Sequence, residues 1–396
     1  MTTWTTEPLG NVLRQIKTGS TPRTSHPEYF NGDVPWFTPS DIGKAKNLTK
    51  SSRTISEDGV NNGAAKLFSQ GTVLVTCIGE IGRVGVLRQR SSANQQITAL
   101  VFDEKVLPDY AYYWFIANRH QLGRFANEAV VPILNNERLQ EVPFSFPADR
   151  EEQNRIIAHL DKSDSLVRTR RYALELTDTF LPAAFLELFG DPAENPRAFD
   201  RLQLEGLFAH SRDGAKCGPF GSALKKHEYV AAGIPVWTMN NVGVNEFVED
   251  GCLYITPQKF EELAAYDAQN GDILISRAGT VGRMAIVRTK HARSIIHSNI
   301  IRLSLNHAKI LPIYFVALMT WFAPRIARLK RGQEDAYTFM STGSLGELQI
   351  PLPPFPLQQR FATLVGRVEC LHAVQREALR QAEHLFASLL HRAFSG

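Results

Sequence analysis

Two stretches of the chain carry apolar residues at steps of three and four, the spacing that puts them on one face of a helix. In the later stretch Phe361, Leu364, Val368, Leu371, Gln375, Ala378, Ala382, Leu385 and Leu389 form a coiled-coil seam of about four heptads. In the earlier one the seam runs through Ile156, Leu160, Val167, Leu174 and Leu181. Gly190 followed by Asp191-Pro192 ends it, as a helix C-terminus should. Matching seams at corresponding places predict that the two helices pair with each other. Elsewhere the short apolar runs at 73–77 and 85–88 read as strands, and 110–124 reads as a helix whose pattern returns around Tyr314.

The apolar pattern also repeats as a whole. GTVLVTCIGEIGRVGVLR from Gly71 is answered by GDILISRAGTVGRMAIVR from Gly271, with Leu74, Gly79, Gly82, Arg83 and Arg88 all recurring. VPWFTPSDIG from Val34 matches IPVWTMNNVG from Ile234, and Glu28-Tyr29 matches Glu228-Tyr229. Separate blocks at one shared offset mark a tandem duplication. It continues to LQEVPFSFP from Leu139 and LGELQIPLP from Leu345, each followed by one of the helical stretches. The fold class expected is α+β: two tandem homologous α+β domains, with two long helices forming an antiparallel coiled coil. The boundaries expected are 1–148 and 192–353 for the domains and 149–191 and 354–396 for the helices. A helix of about 35 residues is roughly 50 Å long.

Composition adds limits. At 396 residues and 43% hydrophobic, the chain has material for more than one core. The opening MTTWTTEPLG lacks the basic and apolar regions of a signal peptide. The longest near-apolar run, 310–323, is too short for a bilayer and is expected as a buried helix, so the protein is expected to be cytoplasmic, with no membrane partner. Cys77, Cys217, Cys252 and Cys370 are widely separated, which argues against a metal site and for reduced thiols. The net charge of +4 is small, but no acidic residue lies between Asp272 and Glu334, a stretch with eleven lysines and arginines. A milder basic stretch lies between Glu80 and Asp103. Segments of one sign suit a polyanionic partner.

The order of domain, long helix, domain, long helix resembles the specificity subunit of Type I restriction-modification enzymes. The resemblance covers essentially the whole chain. It rests on the proline-bounded helix starts PADREEQNRI from Pro147 and PFPLQQRFA from Pro354, of which EEQNRI is nearer the family pattern. It rests also on the helix ends FLPAAFLELFGDP from Phe180 and SLLHRAFSG from Ser388, and on the runs KTGSTP from Lys17 and GPFGSALK from Gly218. The resemblance implies two target recognition domains, each reading one half of a bipartite double-stranded DNA sequence. It implies that the helices fix the gap and dock methyltransferase subunits, with restriction-translocase subunits joining the larger complex. A helical spacer of the expected length would match roughly 15 base pairs.

Base readout needs paired donors and acceptors on a rigid scaffold. Each domain offers loops for this. The opening loop supplies Lys17, Ser20, Thr21 and Arg23, then Lys216, Ser222, Lys225 and Lys226. The loop after the tryptophan strand supplies Thr38, Ser40, Asp41 and Lys44, then Thr238, Asn240 and Asn241. A third set holds Arg83 and Arg88, then Arg277, Thr280, Arg283 and Arg288. Asn94, Gln95 and Gln96 correspond to His297, Ser298 and Asn299. Positions that differ between the copies are the better specificity candidates, such as Cys77 against Arg277 and Glu80 against Thr280. Arg277 is the residue favoured for guanine, through a bidentate fork. Trp36, Phe37 and Trp237 are expected in the core. Residues 133–137 and 337–342 are further loop candidates.

Enzyme signatures are missing. Asn195-Pro196-Arg197 does not match the amino-methyltransferase pattern of Asn or Asp, Pro-Pro and an aromatic residue, and there is no phosphate-loop, GxSxG or HExxH motif. The glycines at 79 and 82 read as a tight hairpin rather than a nucleotide cradle. A non-catalytic subunit needing no cofactor is expected. The alternatives are a two-headed coiled-coil protein scaffold, which leaves the arginine-rich stretch unexplained, and a nuclease, for which clustered carboxylates are wanting.

Overall fold

The computed structural model describes residues 3–127, 130–209, 213–220, 223–277, 282–327 and 342–394. The chain divides into two compact units, Met1–Tyr172 with Arg376–Gly396, and Ala173–Gln375.

The first unit is built on two main sheets, beside the short pair Trp4–Pro8 and Pro143–Pro147. A five-stranded sheet has the order Leu13–Thr18, Ile97–Phe102, Val73–Thr76, Val84–Leu87, Asn47–Leu48. A four-stranded sheet has the order Arg53–Ile55, Phe30–Phe37, Ser91–Ala93, Leu67–Phe68. Strands 73–76 and 84–87 are apolar on both faces, because one face meets the helix Pro108–Ala117 and the other a second core. The first core holds Val73, Val75, Val84, Val86, Tyr110, Trp114 and Phe144; the second holds Phe37, Leu48, Leu74, Leu87 and Ile97.

The second unit repeats this plan. Ala215–Cys217, Ile300–Leu303, Ile273–Ser276 and Met284–Ile286 form its main sheet, and Leu253–Ile255, Ile234–Trp237 and Ile295–Ile296 its smaller one. In both units the tryptophan strand pairs in parallel with the strand before the last sheet strand, Trp36 with Ser92 and Trp237 with Ile296. The run at 310–323 falls in the helix Pro312–Ala327, whose Tyr314, Phe315 and Leu318 are fully buried. Trp36, Phe37 and Trp237 are core residues as well. The hairpin joining 73–76 to 84–87 is wider than a two-residue turn: Thr76 N–H donates to Arg83 O at 2.9 Å and six residues lie between them.

Two long helices, Arg150–Phe189 and Phe355–Phe394, leave the repeats. Gly190 closes the first with φ +77°, its N–H donating to Leu186 O at 2.8 Å. In the first unit Ile156 and Leu160 share a core with Phe386, Leu389 and Phe394, and Arg171 pairs with Glu383 at 2.9 Å. In the second unit Asp178 pairs with His372 at 3.0 Å, and Phe185 meets Phe361 edge-on at 5.5 Å. Within each unit the two helices therefore run antiparallel. Phe361, Val368, Ala382 and Leu389 of the second seam face inward as expected, but the positions between them differ. Val365, His372 and Phe386 turn inward where Leu364, Leu371 and Leu385 were expected, and Leu371 and Leu385 are about half exposed. The ion pair of His372 with Asp178 takes the position that the pattern gives to leucine.

Each long helix is tied to its domain by one fully buried glutamine. Gln153 Oε1 accepts from Leu107 N–H at 2.9 Å, and its Nε2 donates to Lys105 O at 2.7 Å and Pro147 O at 2.9 Å. Gln358 accepts from Leu311 N–H at 2.9 Å and donates to Lys309 O at 3.2 Å and Pro353 O at 2.9 Å.

Candidate nucleic-acid interface

In each unit four loops that are distant in sequence meet at the ends of the strands. In the first, Gly19 N–H donates to Ile97 O at 2.9 Å, Ser20 N–H to Ala93 O at 2.8 Å, Asn94 N–H to Phe37 O at 3.0 Å and Cys77 N–H to Gln96 O at 2.9 Å. In the second, Gly218 N–H donates to Ile300 O at 3.0 Å, His297 N–H to Trp237 O at 2.9 Å and Arg277 N–H to Asn299 O at 2.9 Å. Glycine is required where the opening loop crosses its neighbour. A Cβ at Gly19 would lie 2.3 Å from the carbonyl oxygens of Ala93 and Asn94, and one at Gly218 would lie 2.2 Å from that of His297.

This framework brings together Ser20, Thr21, Thr38, Ser40, Gln95 and Gln96 of the first unit. Thr21 is hydrogen-bonded to the exposed Gln95, and Asn94 Nδ2 donates to Gln96 Oε1 at 3.1 Å. A depression of about 640 Å³ opens among Trp36, Thr38, Ser40, Ser52, Arg53, Asn94 and Gln96. Lys17, Arg23 and Lys44 are exposed on the neighbouring strand and loops. Residues 133 and 134 join the cluster, since Leu134 N–H donates to Cys77 O at 2.8 Å and Gly79 N–H to Pro132 O at 3.0 Å. Asn135 and Asn136 instead cap and anchor the helix that follows. In the second unit Thr238, the exposed Asn240, Arg277, Asn299 and His297 converge in the same way. Burial holds His297 below the usual imidazole range, which favours its neutral, hydrogen-bonding form. Lys225 and Lys226 are exposed, while Lys216 pairs with Asp213 at 2.6 Å and lies 5.6 Å over the Tyr266 ring. Ser222, Thr280 and residues 337–341 lie outside the described residues.

Four expected contacts have other work. Asp41 accepts from Thr38 N–H at 2.9 Å and Ser52 N–H at 3.0 Å. Burial opposes its charge, but these bonds win and hold the carboxyl below the usual range. Asn241, fully buried, accepts from Thr238 N–H at 2.9 Å and donates to Val248 O at 2.8 Å. Both residues shape their loop from within. Arg88 and Arg288 sit at the far ends of the strands that Arg83 and Arg283 begin. Arg88 pairs with Asp109 and Asn47, and Arg288 with Glu369 on the second long helix at 3.2 Å. Neither joins the loop cluster.

The acid-free stretches are not acid-free in space. In the first unit Arg83 pairs with Glu80, Arg88 with Asp109 at 2.5 Å and Arg90 with Glu57 at 2.6 Å. In the second, Arg302 is buried against Asp267 at 3.0 Å and Arg293 meets Glu261 at 2.9 Å. Arg283 is exposed with no side-chain partner among the described residues; in the sequence, threonine takes the position equivalent to Glu80, which pairs with Arg83 and Arg119 in the first copy. Sequence reasoning missed Arg53 and Phe220, which adjoin the two clusters, and the clamping role of Gln153 and Gln358. Gln153-Asn154 and Gln358-Gln359, at matching places in the two helix starts, were the available signal for the glutamines.

The family model for the Type I restriction modification DNA specificity domain matches residues 1–176 and 220–378. The chain belongs to this family. It is 25% identical over 374 residues to the Type I restriction enzyme MjaIX specificity subunit of Methanocaldococcus jannaschii, covering 89% of this chain and 84% of that one. Its fold matches the S subunit of a Type I restriction-modification system from M. genitalium with a TM-score of 0.61 at 17% identity, over 99% of this chain and 96% of that one. A structure described for complex assembly and conformational transition of a Type I system matches with a TM-score of 0.58, also at 17% identity, over 99% and 97%. The chain is thus a non-catalytic specificity subunit with two tandem α+β domains joined by helices. Among the described residues no group of acids, histidines or cysteines is placed to hold a metal, and no helix is long and apolar enough to cross a membrane.

Proposed function

We propose that the chain reads DNA for a Type I restriction-modification complex in the cytoplasm. The recognition domains occupy 1–148 and 192–353, each reading one half of a bipartite duplex target. The helices at 149–191 and 354–396 set the gap. The observation that carries this reading is one backbone framework built twice with different side chains at its tip, as two unlike half-sites require. Each helix has 40 residues, about 60 Å at 1.5 Å per residue, or roughly 18 base pairs at 3.4 Å each. Methyltransferase subunits dock on the helices, and restriction-translocase subunits join that complex. Leu176, Phe180, Leu371 and Val374 support this docking, since large apolar side chains left exposed on the helices of one unit mark a surface for a protein partner.

The test is selection from a randomised duplex library by the chain together with its methyltransferase, followed by exchange of residues 195–345 for those of a relative. Two short motifs at fixed spacing, of which the exchange alters one, are expected. Alteration of both halves would overturn the modular reading. A folded complex that binds no DNA would favour the protein scaffold.

A further inference from the structure

The two loop clusters differ most in where each keeps an unneutralised arginine. In the second, Arg277 follows the strand Ile273–Ser276, with its guanidinium carbon 5.2 Å from the centroid of the Phe220 ring. Its Nε is buried without a hydrogen-bond partner, and among the described residues no acid pairs with it. Phe220 is itself 59% exposed, so ring and guanidinium make a cation-π contact at the surface. The equivalent residue of the first copy, Cys77, donates its backbone N–H to Gln96 O just as Arg277 does to Asn299 O, but its side chain is buried. Burial pushes that thiol up to about 11, so it offers neither charge nor a strong donor.

The first cluster has its own arginine at a different place. Arg53 begins the strand Arg53–Ile55, opposite Trp36, and lines the depression with Thr38, Ser40, Asn94 and Gln96. It is exposed, and no acid pairs with its side chain among the described residues. The equivalent residue of the second copy is Leu253, opposite Val236. The arginines have exchanged positions between the copies: arginine at 53 with cysteine at 77, leucine at 253 with arginine at 277.

We propose that Arg53 and Arg277 are the guanine-reading residues of the two halves, placed on different strands so that each half takes guanine at a different position of its motif. This rests on the DNA-reading function above. A planar guanidinium fits guanine O6 and N7 with two parallel bonds. Contact with the Phe220 ring restrains the Arg277 side chain before binding, which reduces the ordering cost. Arg83 is less suited because it is tied to Glu80 and to Pro39 O at 3.2 Å, and Arg283 because both copies carry arginine at that position, so it cannot distinguish the halves.

The test repeats the library selection with the full chain and its methyltransferase, comparing Arg53→Gln, Arg53→Lys, Arg277→Gln and Arg277→Lys with the parent. Each glutamine variant is expected to lose preference for one G·C pair, by roughly 5- to 150-fold, in its own half only. The lysine variants should recover affinity and at most part of that preference, since an ammonium keeps the charge but lacks the planar fork. Unchanged motifs with a uniform loss of affinity that lysine restores would overturn the proposal, reducing both arginines to phosphate contacts. A parent complex that selects no bipartite motif would overturn the DNA-reading function itself, a result distinguishable from the first. Where a glutamine variant fails to fold, its lysine counterpart carries the same test.

Discussion

Gln153 and Gln358 make the same three hydrogen bonds, one accepted and two donated, to equivalent backbone groups of the two units. Both side chains are fully buried, so these bonds are shielded from bulk water in the folded chain.

Gln153→Ala and Gln358→Ala should each cost about 3 kcal/mol or more, because three buried backbone groups lose their partner at once. Urea unfolding monitored by circular dichroism reads this directly. A loss below about 1 kcal/mol would mean that the helix start relaxes to satisfy those groups elsewhere.

Substituting alanine for Gly19 or Gly218 should disable one loop cluster and spare the other. The added methyl would meet carbonyl oxygens at 2.2–2.3 Å, so the opening loop must move off its neighbour. The variants should keep their secondary structure and lose selectivity in one half of the target. Retained selectivity in both halves would show that the opening loop is dispensable.

Acid should weaken the packing of the first domain around Asp109. Asp109 is opposed by its burial, yet the bonds from Arg88 and Lys46 hold its carboxyl below the usual range. Lys46 is nearly buried and also meets Asp161, which accepts from Tyr113 Oη at 2.5 Å. A depressed folded-state value means that the stabilisation is complete above the ordinary aspartate range and is lost as pH falls through the lower folded value. Unfolding free energy should therefore decline below about pH 4, and Asp109→Asn should flatten that decline. An unchanged acid limb in the variant would assign it to other carboxylates.

Thiol labelling at pH 8 should modify the exposed Cys370 first and leave the buried Cys77 untouched until the chain unfolds. Peptide mapping after graded denaturation checks the order. Early labelling of Cys77 would show that the hairpin beside it opens in the folded protein.

The architecture was legible in the sequence because duplication and periodicity are local or simply offset properties. Trp36 and Trp237 in the core, the strands around Leu74 and Leu274, and the two long helices follow from such patterns. Charge was not legible in the same way. Arg302 finds Asp267, Arg88 finds Asp109 and Arg288 finds Glu369 across distances in the chain that no window reveals. The second seam departs from its pattern at alternate positions, where for instance His372, polar in the pattern, faces Asp178 in place of Leu371. Arg53 escaped notice since it lies outside the repeated blocks, and its importance comes from the depression it borders. Asn241 and Asp41 looked like surface donors or acceptors, and only their partners reveal that they hold the turn.

The loops of each tip are held by main-chain groups, Gly19 to Ile97, Asn94 to Phe37 and Arg277 to Asn299 among them. Main-chain bonds are largely indifferent to the side chains beside them. Residues such as Thr21, Gln95 or Asn240 can therefore be replaced by drift with little penalty to the framework. A lineage can explore new targets at those positions while its scaffold stays fixed, so divergence of the tips is the outcome that this construction leaves open to selection.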